Sequence, residues 1–385
     1  MRIAQISPLH ESVPPKLYGG TERVVSYLTE ALVRRGHQVT LFASGDSVTA
    51  AELRAICPQA LRLDENCRDG LPHHLLLLKE VMRARAEFDI IHFHTDYLHF
   101  PLSPWIRTPH VTTLHGRLDL PDLVPLYHEF PLVPLVSISD SQRKPLAFAN
   151  WRATIHHGLP LDLYRFHEGP GQYLAFLGRI SPEKRPDRAI EIAMRAGLPL
   201  KLAAKVDKVD AEYFDNRIAP LLESPLVEFL GEIGEWEKDE FLGNAKALLF
   251  PIDWPEPFGL VMVEALACGT PVIAYPSGAV TEVLEDGVTG FVVDSIEKAG
   301  EAIERLSTLC RRTCRRHFER RFSADRMARD YEDIYATIAA KAPVPAGCGP
   351  EEDPEFERSY SNQRSILRPI EFLSGRRTPT GPQAG

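Results

Sequence analysis

Along the chain, short apolar runs alternate with longer segments whose apolar positions recur every three or four residues. That is the pattern of a parallel sheet covered by helices. The first half predicts strands at Arg2–Ser7, Gln38–Ala43, Ile90–His94, Val111–Leu114, Leu135–Ser139 and Ala153–His156. Between the first two, a helix over Thr21–Arg35 sets Val24, Val25, Leu28, Ala31 and Leu32 on one side and stops at Gly36. A second series follows Gly169-Pro170-Gly171, which reads as a hinge. It predicts strands at Tyr173–Leu177, Leu200–Ala204, Val227–Leu230, Ala247–Phe250, Val272–Tyr275 and Gly290–Val293. Helices at Asp187–Ala196, Ala211–Leu222, Glu235–Asn244 and Gly259–Ala267 separate them. Each half thus reads as its own doubly wound α/β domain, one over 1–168 and one over 169–322.

A last helix, Ser323–Ala340, is followed by no strand. Its Met327, Tyr331, Ile334, Tyr335 and Ile338 need a surface to cover, on the second domain or, by crossing back, on the first. From Pro343 the chain turns to Pro, Gly, Ser, Glu and Arg, which predicts a disordered tail over 343–385, with Ile366–Leu373 as its one stretch able to dock.

Composition supports two domains. The chain has 385 residues, 44% hydrophobic and 25% charged, as in ordinary globular proteins. A formal net charge of −9 argues against nucleic acid as a partner. Residues 1–165 hold 17 basic and 17 acidic side chains, so the excess belongs to the remainder, with 27 and 36. The six cysteines have no framework spacing and read as reduced thiols. Cys310, Cys314 and His317 have metal-like spacing, but Arg311, Arg312, Arg315 and Arg316 surround them, and an exposed basic helix is the better reading. The first residues enter a strand without a leader pattern, and no apolar run reaches the ~20 residues of a membrane span. The expectation is a cytoplasmic protein.

Three places carry candidate chemistry. Tyr18-Gly19-Gly20-Thr21-Glu22-Arg23 joins the first strand to its helix; two glycines and free helix-start N–H groups suit an anion such as a diphosphate, or merely a tight turn. Arg179 and Lys184 flank the carboxyl end of the second domain's first strand, where doubly wound folds bind ligands; two cations there suit a diphosphate, though the pair taken alone reads better as a solvated basic turn before a helix. Glu256 sits in a Pro-rich turn and Glu264 inside the apolar run Leu260–Leu266, where a carboxylate needs a partner such as a ribose diol.

Together these motifs resemble the family 4 retaining glycosyltransferases of the GT-B fold. Glu256-x7-Glu264 is similar to the family's paired glutamates, Arg179 with Lys184 to its basic pair, Tyr18-Gly19-Gly20 to its glycine loop and His115-Gly116 to a histidine site after an N-domain strand. Ser137-Ile138-Ser139, Cys268–Ala274 and Gly287–Phe291 also fit, so the resemblance covers residues 1 to about 340. It implies two facing Rossmann-like domains, with the helix at 323–342 crossing back to the first. It further implies hexose transfer from a nucleotide-sugar, UDP-glucose-like or GDP-mannose-like, to a hydroxyl of a small-molecule, glycan or lipid acceptor. No metal or other cofactor takes part, configuration is retained, and peripheral contact with a membrane is compatible with it.

The implied catalytic residues are Arg179, Lys184, Glu256 and His115; the implied donor-binding residues are Gly19, Gly20, Glu264, Phe258, Gly259 and Leu260. His94, in the alternating His92-Phe93-His94, and Asp140, at a strand end, are acceptor-side candidates. Trp254 is equally suited to stacking on a base or sugar and to simple packing. Ser277-Gly278 departs from the Gly-Gly of many members. A GT-B epimerase or phosphorylase, or a non-catalytic sugar-nucleotide-binding protein, are the competing readings.

Overall fold

The structure, a computed structural model, describes residues 1–341. The predicted tail, with Ile366–Leu373, lies outside the described residues. The first sheet is built from β1 (Arg2–Ile6), β2 (Gln38–Ala43), β3 (Glu52–Ala55), β4 (Ile90–Phe93), β5 (His110–Thr113), β6 (Leu135–Ser137) and β7 (Trp151–Thr154). Its strands are all parallel, in the order β3-β2-β1-β4-β5-β6-β7. The second contains β8 (Tyr173–Ile180), β9 (Leu200–Val206), β10 (Val227–Gly231), β11 (Ala245–Phe250), β12 (Val272–Ala274) and β13 (Gly290–Val292), parallel in the order β10-β9-β8-β11-β12-β13. The order reverses between β1 and β4 in one sheet and between β8 and β11 in the other. At such points the loops splay apart and leave a crevice at the strands' carboxyl ends.

The helices are α1 (Gly20–Arg34), α2 (Leu71–Ala84), α3 (Leu123–Glu129), α4 (Pro186–Ala196), α5 (Ala211–Tyr213), α6 (Glu235–Gly243), α7 (Leu260–Ala267), α8 (Val280–Val283), α9 (Ile296–Glu304), α10 (Arg311–Arg321) and α11 (Ala324–Lys341). They cover both sheet faces, so all four residues of β4 are buried, as an apolar parallel strand requires. Several expected bounds shift. The strand begun at Tyr173 runs on to Ile180, so Arg179 lies inside β8. The helix expected over Ala211–Leu222 is one α turn followed by π and 3₁₀ turns, and Pro220 sits where the 3₁₀ turn begins.

The last helix crosses back. On α11, Tyr331 hydrogen-bonds through its hydroxyl to Thr113 Oγ1 at 2.8 Å, and Tyr335 Oη meets His92 Nδ1 at 2.7 Å. Glu332 accepts two bonds from Arg35, each 2.7 Å, at the end of α1. Buried apolar side chains of both domains and of α11 form one continuous cluster.

The two connections between domains pair with each other. Leu159 and Ser323 form a parallel bridge: Leu159 N–H donates to Phe322 O and Ala324 N–H to Leu159 O, both at 2.8 Å. Arg326 donates to the carbonyls of His156 and His157, at 2.6 and 3.0 Å. The crossing therefore precedes the expected hinge at Gly169-Pro170-Gly171. Arg165 N–H already donates to Asp239 Oδ1 at 2.8 Å, and His167 N–H to Cys268 O at 3.1 Å, so these residues belong with the second domain. Arg315 fastens the same segment by donating to the carbonyls of Leu161, Tyr164 and Ala267.

At Gly158 there is no room for a side chain, because a Cβ would lie 2.3 Å from Ser323 O. Gly158→Ala is expected to cost roughly 1–3 kcal/mol, since a backbone carbonyl cannot rotate away as a side chain can. Urea unfolding measures this; an unchanged midpoint would contradict the tight crossing.

Candidate active site

A cleft of about 520 Å³ opens between the carboxyl ends of the two sheets. From the first domain it is lined by the Tyr18-Gly19-Gly20 loop, Glu22, His115 and His157; from the second by Arg179, Lys184, Trp254, the Glu256–Val261 turn and Glu264. All of the expected catalytic and donor-binding residues thus share one cleft.

β8 carries Arg179 to the rim. Its guanidinium donates to Glu183 at 2.5 Å, with Asp207 and Asp210 carboxylates at 3.8 and 3.9 Å. The tight turn after β8 returns Lys184 to the loop that follows β11. There its ammonium pairs with Glu256 and lies 4.9 Å from the centroid of the Trp254 ring. Trp254 Nε1 also donates to Glu256 Oε2, at 3.1 Å. Trp254 therefore orders the glutamate as well as walling the cleft.

Backbone fit fixes the Glu256 turn. Gly278, in the left-handed region at φ +64°, packs so closely that a Cβ would lie 2.2 Å from the backbone of Glu256. The hydroxyl of Ser277 donates to Trp254 O at 2.5 Å, so this serine braces the turn rather than facing the cleft. Gly259, at φ +80°, then starts α7 and leaves helix-start N–H groups beside Phe258 and Leu260. One turn further on, buried Glu264 accepts from Lys238 at 2.8 Å. Burial lowers the Lys238 ammonium from its ordinary value, and the Glu264 charge opposes that shift.

The glycine loop reaches across the cleft. Tyr18 N–H donates to Glu232 at 2.9 Å, and Arg23 pairs with Glu235 on α6 while donating to Leu17 O at 2.7 Å. The loop is thereby held over the end of the second sheet.

His115 follows β5 and is stacked on His157, with ring centroids 5.3 Å apart. Burial pushes its pKa down to about 3, so the ring is neutral. The two acceptor-side candidates lie elsewhere. His94 is 1% exposed beneath His115, bonded to it at 2.9 Å, because the carboxyl end of β4 lies below that of β5. Asp140 is drawn into the domain contact. Its N–H donates to Glu282 at 2.8 Å, and its carboxylate accepts from Thr154 at 2.5 Å, which leaves it outside the cleft lining. Cys310, Cys314 and His317 do not converge: Cys314 Sγ faces Thr289 O, His317 faces Val283 O and Cys310 is exposed. Among the described residues no three His, Cys, Asp or Glu gather as a metal site would require.

Two family models match. One, described as Glycosyltransferase Family 4, covers residues 18–156; the other, Glycosyl transferases group 1, covers residues 166–319. The chain belongs to the family 4 glycosyltransferases. A phosphatidyl-myo-inositol mannosyltransferase of Mycolicibacterium smegmatis is 26% identical over 80% of this chain and 85% of its own length. A D-inositol 3-phosphate glycosyltransferase of Salinispora tropica is 32% identical over 44% of this chain, and the match spans only 39% of that relative. Among solved structures, a glycosyltransferase involved in avilamycin A biosynthesis is 25% identical with a TM-score of 0.70, over 89% of this chain and 98% of that one. The two facing parallel sheets are those of GT-B glycosyltransferases. Among the described residues, no helix of this glycosyltransferase is long and apolar enough to cross a membrane.

The sequence pattern does not single out Lys238, hidden in the charge run Glu235–Glu240, and it marks Glu22 only as a helix-start residue of the glycine loop. Glu22 is buried, and burial raises its pKa from 4.5 to about 7, with Glu11 adding to the shift and backbone N–H groups opposing it. A carboxyl whose folded pKa lies above its unfolded value is stabilising only while protonated. The glycosyltransferase should therefore lose stability through this group as pH rises from 4.5 to about 7. Glu22→Gln removes that loss and should be more stable than the parent by roughly 2–4 kcal/mol above the window, with the gap closing below it. Urea unfolding across this pH range measures the gap; a constant difference would refute the assignment.

Proposed function

We propose that this glycosyltransferase moves a hexose from a nucleotide-sugar, UDP-glucose-like or GDP-mannose-like, to a hydroxyl of a small-molecule, glycan or lipid acceptor. Configuration is retained and no metal ion takes part. The reading rests on one observation: Arg179, Lys184, Glu256 and Glu264 line the same cleft as the glycine loop of the facing domain.

Each member has a chemical task in this reading. Charge builds on the leaving diphosphate as the glycosidic bond breaks, and Arg179 with Lys184 neutralises it in place of a metal ion. Helix-start N–H groups at Gly20 and at Gly259 add fixed positive dipole ends. Glu264, on a buried helix, accepts the ribose hydroxyl protons, and Glu256, on the more exposed turn, orients the transferred sugar. His115, neutral and at the cleft wall, meets a sugar hydroxyl. Attack from the face of the departing phosphate, with that phosphate taking the acceptor proton, retains configuration without a carboxylate nucleophile. The mannosyltransferase relative is consistent with a hexose as the group transferred.

Thermal shifts with UDP, GDP, ADP and their sugars identify the donor, since a ligand at a hundred times its Kd stabilises by about 2.7 kcal/mol. If none raises the melting temperature, the donor half of the reading fails. Arg179→Ala and Lys184→Ala should each lower kcat by roughly 10²–10³; near-normal turnover in both would remove them from catalysis. Glu264→Ala should weaken nucleotide binding, whereas Glu256→Ala should slow transfer with nucleotide affinity kept. Equal nucleotide affinity in the two variants would overturn the division of roles.

A further inference from the structure

Beneath His115 runs an unbroken chain of buried polar side chains that ends on the crossover helix. His115 Nε2 lies 2.9 Å from His94 Nδ1, and His94 Nε2 lies 2.7 Å from Gln5 Oε1. Gln5 Nε2 donates to Tyr335 Oη at 3.1 Å, and Tyr335 Oη meets His92 Nδ1 at 2.7 Å. His92 Nε2 continues to Thr113 Oγ1 at 2.7 Å, and Thr113 to Tyr331 Oη at 2.8 Å. Gln5, His92 and Tyr335 are 0% exposed, so water does not intervene. His115 lines the cleft, and its Nδ1 is buried with no hydrogen-bond partner among the described residues.

We propose that Gln5 and Tyr335 are positioning residues that fix the tautomer of His115 and so leave a lone pair on its unpartnered Nδ1. This rests on the sugar-transfer reading only for what that nitrogen meets, namely a hydroxyl of the transferred sugar or of the acceptor.

A neutral imidazole carries one N–H and one lone pair. Gln5 Oε1 can only accept, so His94 carries its proton on Nε2. His94 Nδ1 is therefore an acceptor and takes the N–H of His115 Nε2. That leaves His115 Nδ1 bare. Both rings are held neutral, first by burial, and for His94 also by the neighbouring His92, His115 and His157.

The polarity depends on which way the Gln5 amide faces. Turned over, it would donate to His94, every bond to the cleft would reverse, and His115 would present an N–H instead. Tyr335 resists that reversal by receiving the amide N–H while passing its own proton to His92. The ring of His115 is thus set, through His94 and Gln5, by Tyr335 on a helix that follows the whole second domain in sequence. An acceptor nitrogen orients a hydroxyl through its O–H, whereas an N–H would orient the same hydroxyl through its lone pair.

Histidine ¹⁵N spectra of the full chain decide the matter, with His115→Gln to assign the resonance. The wild type should show His115 as the Nε2–H tautomer. Gln5→Met, which keeps bulk but removes the acceptor, should give a mixture of tautomers, and Gln5→Glu should restore the wild-type form. Tyr335→Phe loses only a hydroxyl and should also give a mixture; it keeps the test open if Gln5→Met does not fold. On whichever of UDP-glucose or GDP-mannose the enzyme turns over, Gln5→Met should lower kcat/KM roughly ten- to a hundredfold, the loss of one hydrogen bond, with UDP or GDP affinity unchanged. A rise in KM for the donor alone assigns the hydroxyl to the transferred sugar; a rise for the acceptor alone assigns it to the acceptor. An Nδ1–H tautomer in the wild type, or an unchanged tautomer in the folded variants, would overturn the proposal. The predicted tautomers in a protein that transfers no sugar would leave the relay standing and sink the functional reading.

Discussion

The two peptide segments that join the domains are hydrogen-bonded to each other, and the cleft depends on that junction. Leu159 leaves the first domain beside Ser323, where the chain returns, and the backbone bonds between them tie the outgoing and returning strands into one crossing. What the crossing sets is the path of α11, whose tyrosines reach the buried floor under His115 only because the helix starts at that point. The same region also aligns Ser139 Oγ with Pro257 O at 2.6 Å, and the N–H groups of Asp140 and Ser141 with Glu282. The glutamate turn is therefore referenced to the first domain as well as to its own.

Much of the architecture was legible because a parallel sheet buried on both faces must be written as apolar runs separated by amphipathic helices. The two parallel sheets agree with that reading; the path of the last helix, which periodicity leaves open, came only from the family resemblance. What escaped notice had weaker periodicity. α2 opens with Leu71-Pro72 and two histidines before four consecutive leucines; Leu75 and Leu76 face outward while Leu77 and Leu78 are buried, so no apolar stripe announces it. Edge strand β3 mixes Glu52 and Arg54 with its apolar residues. β8 seemed to stop at Leu177 because Gly178 and Arg179 break its apolar run, yet the strand continues to Ile180.

The site divides in the same way. Arg179, Lys184, Glu256 and Glu264 were legible as cleft residues because together their short motifs resemble the family's; the basic pair taken alone reads as a solvated turn. His94 and Asp140 were placed on the acceptor side because they end strands at the right level. Their actual partners, Gln5 and Glu282, lie 89 and 142 residues away in sequence, and no local pattern encodes such pairs. Lys238 was masked by its charged neighbours, and Gln5 by the apolar residues on either side of it in β1.

The cations of the cleft are not free: Lys184 holds Glu256, Lys238 holds Glu264, Lys205 holds Asp207 and Arg179 holds Glu183. For a diphosphate held as proposed, arrival is then an exchange of partners, and much of its Coulombic gain is offset by the pairs it disrupts. The same pairs act in the opposite sense once the sugar has left. In the proposed reaction, carboxylates already within reach would reclaim the ammonium and guanidinium groups from the spent nucleotide. That internal competition would favour product departure over tight retention.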